Sequence, residues 1–113
     1  DEREAAQTIF YTSTQDLSQG FTRRYDDLFI YNRKYIEGPF TLPSLHEPGV
    51  YYLYVDNYPN QCFYIARFSQ LGETADFQWL AEGEYTLPNE DVRHGSAIPV
   101  TQKELDRILQ AYN

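Results

Sequence analysis

Two histidines, a lone cysteine and a closely spaced acid pair are the side chains of this 113-residue chain whose types suggest chemistry. His46 and His94 lie far apart, each beside a segment containing proline or glycine. A zinc site needs several ligands at regular spacing, and the sequence contains neither Cys-x-x-Cys nor His-x-x-x-His. No metal site is therefore expected. No cofactor is expected either, because no glycine-rich loop is present to cradle a phosphate. Cys62 sits inside an apolar run, where a buried and inert thiol is expected rather than a nucleophile. As the single cysteine, it can form no disulfide within the chain. Glu82-Gly83-Glu84 reads as an acidic turn, and no catalytic residue is assigned.

Residues 48–68, PGVYYLYVDNYPNQCFYIARF, hold two Tyr-rich apolar runs with a polar break between them. Gly49-Val50-Tyr51 and Tyr64-Ile65-Ala66 resemble the paired strands of GIY-YIG endonucleases. That resemblance implies an Arg on the following helix and a later metal-holding Glu. Here no arginine lies between Arg67 and Arg93, and Ala66 stands where the second glycine belongs. Metal-assisted phosphodiester cleavage also needs positive charge around the phosphate, and the chain grows more acidic beyond this point. Thr12-Ser13-Thr14 with Glu82-Gly83-Glu84 is similar to the serine-threonine and Glu-x-Glu motifs of ADP-ribosyltransferases. The Arg or His that such a site needs in its first strand has no counterpart, since Arg3 precedes any strand and no His precedes His46.

The segment after the hairpin concentrates charge around aromatic rings. Glu73, Asp76, Glu82, Glu84, Glu90 and Asp91 surround Trp79 and Tyr85. Aromatic anchors ringed by charge build protein interfaces, and the charge steers association. A second cluster, Tyr54, Asp56, Asn57 and Tyr58, ends the first run of the hairpin. Tyrosines there would stack on a sugar or peptide while Asp and Asn supply hydrogen bonds.

Charge excludes several partner classes. The net charge is −8, and residues 71–113 hold eight acids against three bases. Phosphate backbones and anionic membranes repel such a surface, so neither nucleic acid nor membrane is an expected partner. A basic protein is. Eleven Tyr and seven Phe exceed the needs of a small core, so some rings are expected at the surface. The chain holds no Met and begins at Asp1, the form expected of an exported mature domain freed of a leader.

These side chains must be positioned by a short list of elements. Residues 1–7 suggest a helical turn, residues 8–14 a strand, and the residues flanking Asn32-Arg33 a hairpin. Residues 38–49 carry three prolines and two glycines, which predicts an irregular connection. The runs at 50–56 and 61–68 predict a central hairpin, with Val50, Tyr52 and Tyr54 on one face and Tyr51, Leu53 and Val55 on the other. Residues 75–82 predict another strand and residues 84–88 a short one. Thr101 and Glu104 form a capping box, and Leu105, Ile108, Leu109 and Tyr112 then line one helical stripe.

The expected architecture is a single α+β domain over residues 1–113. It has a mostly antiparallel sheet of four to six strands with the C-terminal amphipathic helix packed on one face. The expected function is a non-enzymatic acidic antagonist, of the inhibitor or immunity type, that occludes a basic protein. The alternatives are a carbohydrate- or peptide-binding module using the surface tyrosines, and a degenerate enzyme.

Overall fold

The computed structural model describes residues 9, 11–21, 35–60, 62–87 and 93–112. Within them run β1 (Ile36–Pro43), β2 (Tyr51–Asn57), β3 (Cys62–Phe68), β4 (Gln78–Trp79) and α1 (Gln102–Tyr112), with short 3-10 turns at Leu17–Gln19 and Gly72–Thr74. The strands form one antiparallel sheet in the order β1-β2-β3-β4. The chain is thus the α+β fold expected, and the Tyr-rich hairpin is its centre. Its β-branched and aromatic residues suit a pleated surface covered on both sides. Asn57 fixes the turn, since the backbone N–H of Asn60 donates to both the backbone and side-chain oxygens of Asn57.

Register divides the sheet into two faces. One carries the core of Ile36, Leu53, Val55, Ala66 and Phe68, with Ile9, Tyr11, Tyr64, Phe77 and Trp79 packed against it. On the other, Glu37 pairs with Asp56 and Phe40 with Tyr54, while Asp56 and Tyr54 pair with Phe63 and Ile65 across β3.

β1 corrects the reading of residues 38–49 as a loop, because the first half of that segment is strand. The register slips between Glu37 and Phe40, so Gly38 and Pro39 together oppose one residue of β2. A bulge tolerates both residues: glycine takes the positive φ of 54°, and proline has no ladder hydrogen bond to give. The extra residue resets the alternation, so Glu37 and Phe40 emerge on the same face.

Other elements are shorter than expected. In residues 8–14 only Tyr11 forms an isolated bridge among the described positions, the strand at 75–82 contracts to Gln78–Trp79, and residues 84–87 form no strand. The expected turn at residues 1–7 lies outside the described residues, as does most of the hairpin around Asn32-Arg33.

At the C-terminus the capping box forms as predicted. The Thr101 N–H and hydroxyl both donate to Glu104 Oε2 at 2.7 Å, and the Glu104 N–H returns a bond to Thr101 Oγ1. The helix that follows departs from expectation in its packing. No residue of α1 is buried, and it approaches none of the four strands. Leu105, Ile108 and Leu109 are 38%, 47% and 48% exposed. Periodicity creates an apolar stripe, but it does not say what the stripe packs against.

Candidate functional site

The bulge places Glu37 beside Asp56 at the end of the sheet, and the segment after residue 92 brings Arg93 and His94 over them. Arg93 Nε donates to Asp56 Oδ2 at 3.2 Å, and a terminal nitrogen of the same guanidinium donates to Glu37 Oε1 at 3.2 Å. His94 Nε2 lies 3.1 Å from Glu37 Oε1 and 3.5 Å from Asp56 Oδ2. Asp56 is fully buried, whereas the Glu37 and His94 side chains are 40% and 56% exposed. One acid is therefore sealed beneath Arg93 and His94 and the other stands at the rim.

The backbone around this cluster is held in conformations that side chains rarely adopt. Among the described residues, Tyr35 (φ 60°) and His94 (φ 42°) are the non-glycine positions with positive φ, and both flank Glu37. Such strain costs on the order of 1–3 kcal/mol per residue and collects at functional sites. Gly38 fits the same pattern, because a Cβ there would stand 2.6 Å from His94 Nδ1. Gly38, Pro39, His94, Gly95 and Ser96 line a shallow recess of ≈360 Å³.

Aromatic rings border the acids. Phe40 stacks on Tyr54 at 4.8 Å, and Phe63 meets both edge-on at 5.7 and 6.3 Å. On the other side, Tyr35 and Tyr58 meet edge-on at 6.0 Å. Desolvation, followed by the nearness of Tyr35 and Glu37, pushes the Tyr58 phenol above its usual range. Cys62, across from Asn57, is likewise pushed up by desolvation and then by Asp56, which keeps the thiol protonated and unreactive.

The sequence-predicted residues divide between this corner and the rest of the sheet. Of Tyr54, Asp56, Asn57 and Tyr58, the two tyrosines are half-buried and the two polar residues are buried. Of the acidic segment, Asp76 accepts bonds from the Ser69 hydroxyl and from the N–H groups of Ser69 and Gln70, which hold its carboxyl at about 2. Glu84 accepts from the Ala81 N–H, and Glu82 is exposed in the same turn. Trp79 leans on the core face against Tyr64, and the Tyr85 hydroxyl donates to the Phe63 carbonyl. Glu73 lies in the Gly72–Thr74 turn; Glu90 and Asp91 lie outside the described residues. Glu37, Arg93 and His94 gave no motif, because strand register and a distant loop bring them together. The one sequence signal was Gly38-Pro39, a bulge pair inside an otherwise strand-prone run.

Comparison with known proteins adds a family. Residues 1–106 match the model of a family described as "Probable glycosyl hydrolase domain". No curated protein and no solved structure matches the chain. The match overturns the expected non-enzymatic antagonist of the inhibitor or immunity type. Acidity and size, on which that expectation rested, describe a surface without specifying its chemistry. Spanning nearly the whole sequence, the match establishes that the chain belongs to the family of probable glycosyl hydrolase domains.

Proposed function

We propose that this domain serves glycoside hydrolysis by engaging a saccharide at the corner formed by Glu37, Tyr35, Tyr58 and His94. The observation that carries this reading is the half-exposed Glu37 carboxylate, gripped by Arg93 and His94 and flanked by tyrosine rings. Sugars are recognised by just these elements: an aromatic ring against the C–H face of the pyranose and a fixed carboxylate accepting from vicinal hydroxyls. The Arg93 and His94 contacts both converge on Glu37 Oε1, which leaves Oε2 for a sugar hydroxyl.

Glycosidic cleavage runs on a pair of carboxyl groups flanking the scissile bond. Glu37 and Asp56 place two carboxylates side by side, with oxygens within 4.8 Å of each other. Asp56 is sealed under Arg93, so Glu37 is the member that faces the sugar, and Asp56 is a positioning residue that fixes Arg93. Membership of a family of probable glycosyl hydrolase domains supports this reading.

The test is a panel of soluble oligosaccharides titrated calorimetrically, with reducing-end release followed on the same panel. Glu37→Gln and Tyr58→Ala should each weaken saccharide binding by about tenfold or more, equivalent to ~1.4 kcal/mol. Binding that survives both substitutions, or a panel with no ligand at all, sinks the reading.

A further inference from the structure

We propose that Glu37, Asp56 and His94 form a divalent-cation site of the zinc type. Three ligand atoms from three separate segments converge here: Glu37 Oε1, Asp56 Oδ2 and His94 Nε2. The two edges through His94 measure 3.1 and 3.5 Å, and all three atoms lie within 4.8 Å of one another. Tetrahedral bonds of about 2.0–2.1 Å place neighbouring ligand atoms ~3.4 Å apart, so two edges of the coordination polyhedron are already formed. The third edge, between the two carboxylates, is no longer than 4.8 Å.

A second observation, separate from the clustering, points to a ligand. Asp56 is fully buried, and its Oδ1 has no hydrogen-bond partner among the described residues. Buried carboxylate oxygens are ordinarily satisfied, so the Asp56 carboxylate keeps unmet acceptor capacity that a cation bound through its Oδ2 would draw on. Arg93 supplies one to Oδ2 but leaves Oδ1 untouched. The imidazole is also pre-set. Its Nδ1 side lies where Gly38 would carry a Cβ, so the absent side chain makes room for the ring that aims Nε2 at the acids.

One imidazole and two carboxylates suit Zn²⁺ better than Ca²⁺ or Mg²⁺, which prefer oxygen alone. Three protein ligands leave a fourth position open. Arg93 is then a competitor for the same two oxygens, which makes its effect on metal affinity diagnostic. This inference stands on the geometry of the three ligands and does not require the carbohydrate reading.

The experiment is calorimetric titration of ZnCl₂ into EDTA-treated, dialysed protein. A single-site isotherm is expected. His94→Ala and Asp56→Asn should each weaken it by about tenfold or more. His46→Ala, at the other histidine, should leave it unchanged, and Arg93→Gln should tighten it. Should Asp56→Asn fail to fold, the exposed His94 carries the test. No Zn²⁺ uptake, or uptake indifferent to His94→Ala, overturns the proposal. Repeating the saccharide titrations in EDTA separates the two readings. Sugar binding without Zn²⁺ uptake overturns the metal site alone, and Zn²⁺ uptake without sugar binding overturns the carbohydrate reading alone.

Discussion

Arg93 reaches Asp56 with its Nε 3.2 Å from Oδ2, joining a fully buried carboxylate to a side chain that is itself 42% exposed. Removing one member of a buried pair strands the other, at about 3–5 kcal/mol when both are fully buried. Arg93 is partly solvated, so water screens some of this and Arg93→Ala should cost about 2–3 kcal/mol. Asp56→Asn should cost less, because the amide keeps the shape without a stranded charge. Urea unfolding of the two variants measures the difference. A loss below about 0.5 kcal/mol for Arg93→Ala would mean that Asp56 draws its stabilisation from elsewhere.

Gly38 governs the position of His94. With φ at 54°, alanine there is strained by about 1 kcal/mol before any contact is counted. Its Cβ would also meet His94 Nδ1 at 2.6 Å, so the imidazole must swing away. Gly38→Ala should therefore separate His94 from Glu37 while the β2–β3 hairpin persists. Imidazole nitrogen shifts in NMR should move towards those of an exposed histidine, with hairpin amide shifts unchanged. Unmoved imidazole shifts would show that the ring tolerates the extra methyl.

The physical character of each signal explains what the sequence disclosed. The central hairpin was legible because alternation and turn chemistry are local, and the residues that satisfy them are neighbours. The capping box was legible for the same reason, since Thr101 and Glu104 are three positions apart and bond each other directly. β1 was hidden because Gly38 and Pro39 punctuate the chain as a loop does, while in three dimensions they form a bulge. That bulge decides whether Glu37 faces Asp56. Tyr54, Asp56, Asn57 and Tyr58 were singled out as a cluster exposed at the hairpin end, but pairing with β1 and cover from Arg93 buries the polar two. Register and burial are properties of the assembled sheet, and no spacing rule within one strand contains them.

Asp76 ties the segment after β3 to itself. Hydrogen bonds from the Ser69 hydroxyl and from the Ser69 and Gln70 N–H groups hold its carboxyl at about 2, below the ordinary value of 3.8. A depressed folded-state value means that the stabilisation is fully present above the unfolded value and is lost as pH falls through the folded one. The cap should therefore persist through pH 4 and release only towards pH 2. Carboxyl ¹³C titration should give Asp76 a midpoint near 2, and Ser69→Ala should raise it. A midpoint near 3.8 in the unmodified protein would show that the cap is not formed in solution.

The helix α1 supplies the last prediction, and it separates local from tertiary stabilisation. The capping box satisfies its first turn: Glu104, held below the usual carboxylate range by the Thr101 N–H and then the Thr101 hydroxyl, accepts both. Thr101→Ala should then destabilise the helix by roughly 1 kcal/mol, seen as a loss of circular dichroism at 222 nm. Because the Glu104 carboxyl is depressed in the folded state, its contribution is complete above the unfolded value and fades as acid takes pH through the folded one. The apolar stripe should behave differently. Leu105, Ile108 and Leu109 are half-exposed, and α1 approaches no strand. Leu105→Ser with Ile108→Ser should therefore shift the urea midpoint of the sheet by less than about 0.5 kcal/mol in free-energy terms. Core substitution at a buried aliphatic such as Val55→Ala should instead cost about 2–4 kcal/mol. Equal losses for the two would place the helix stripe against the sheet in solution.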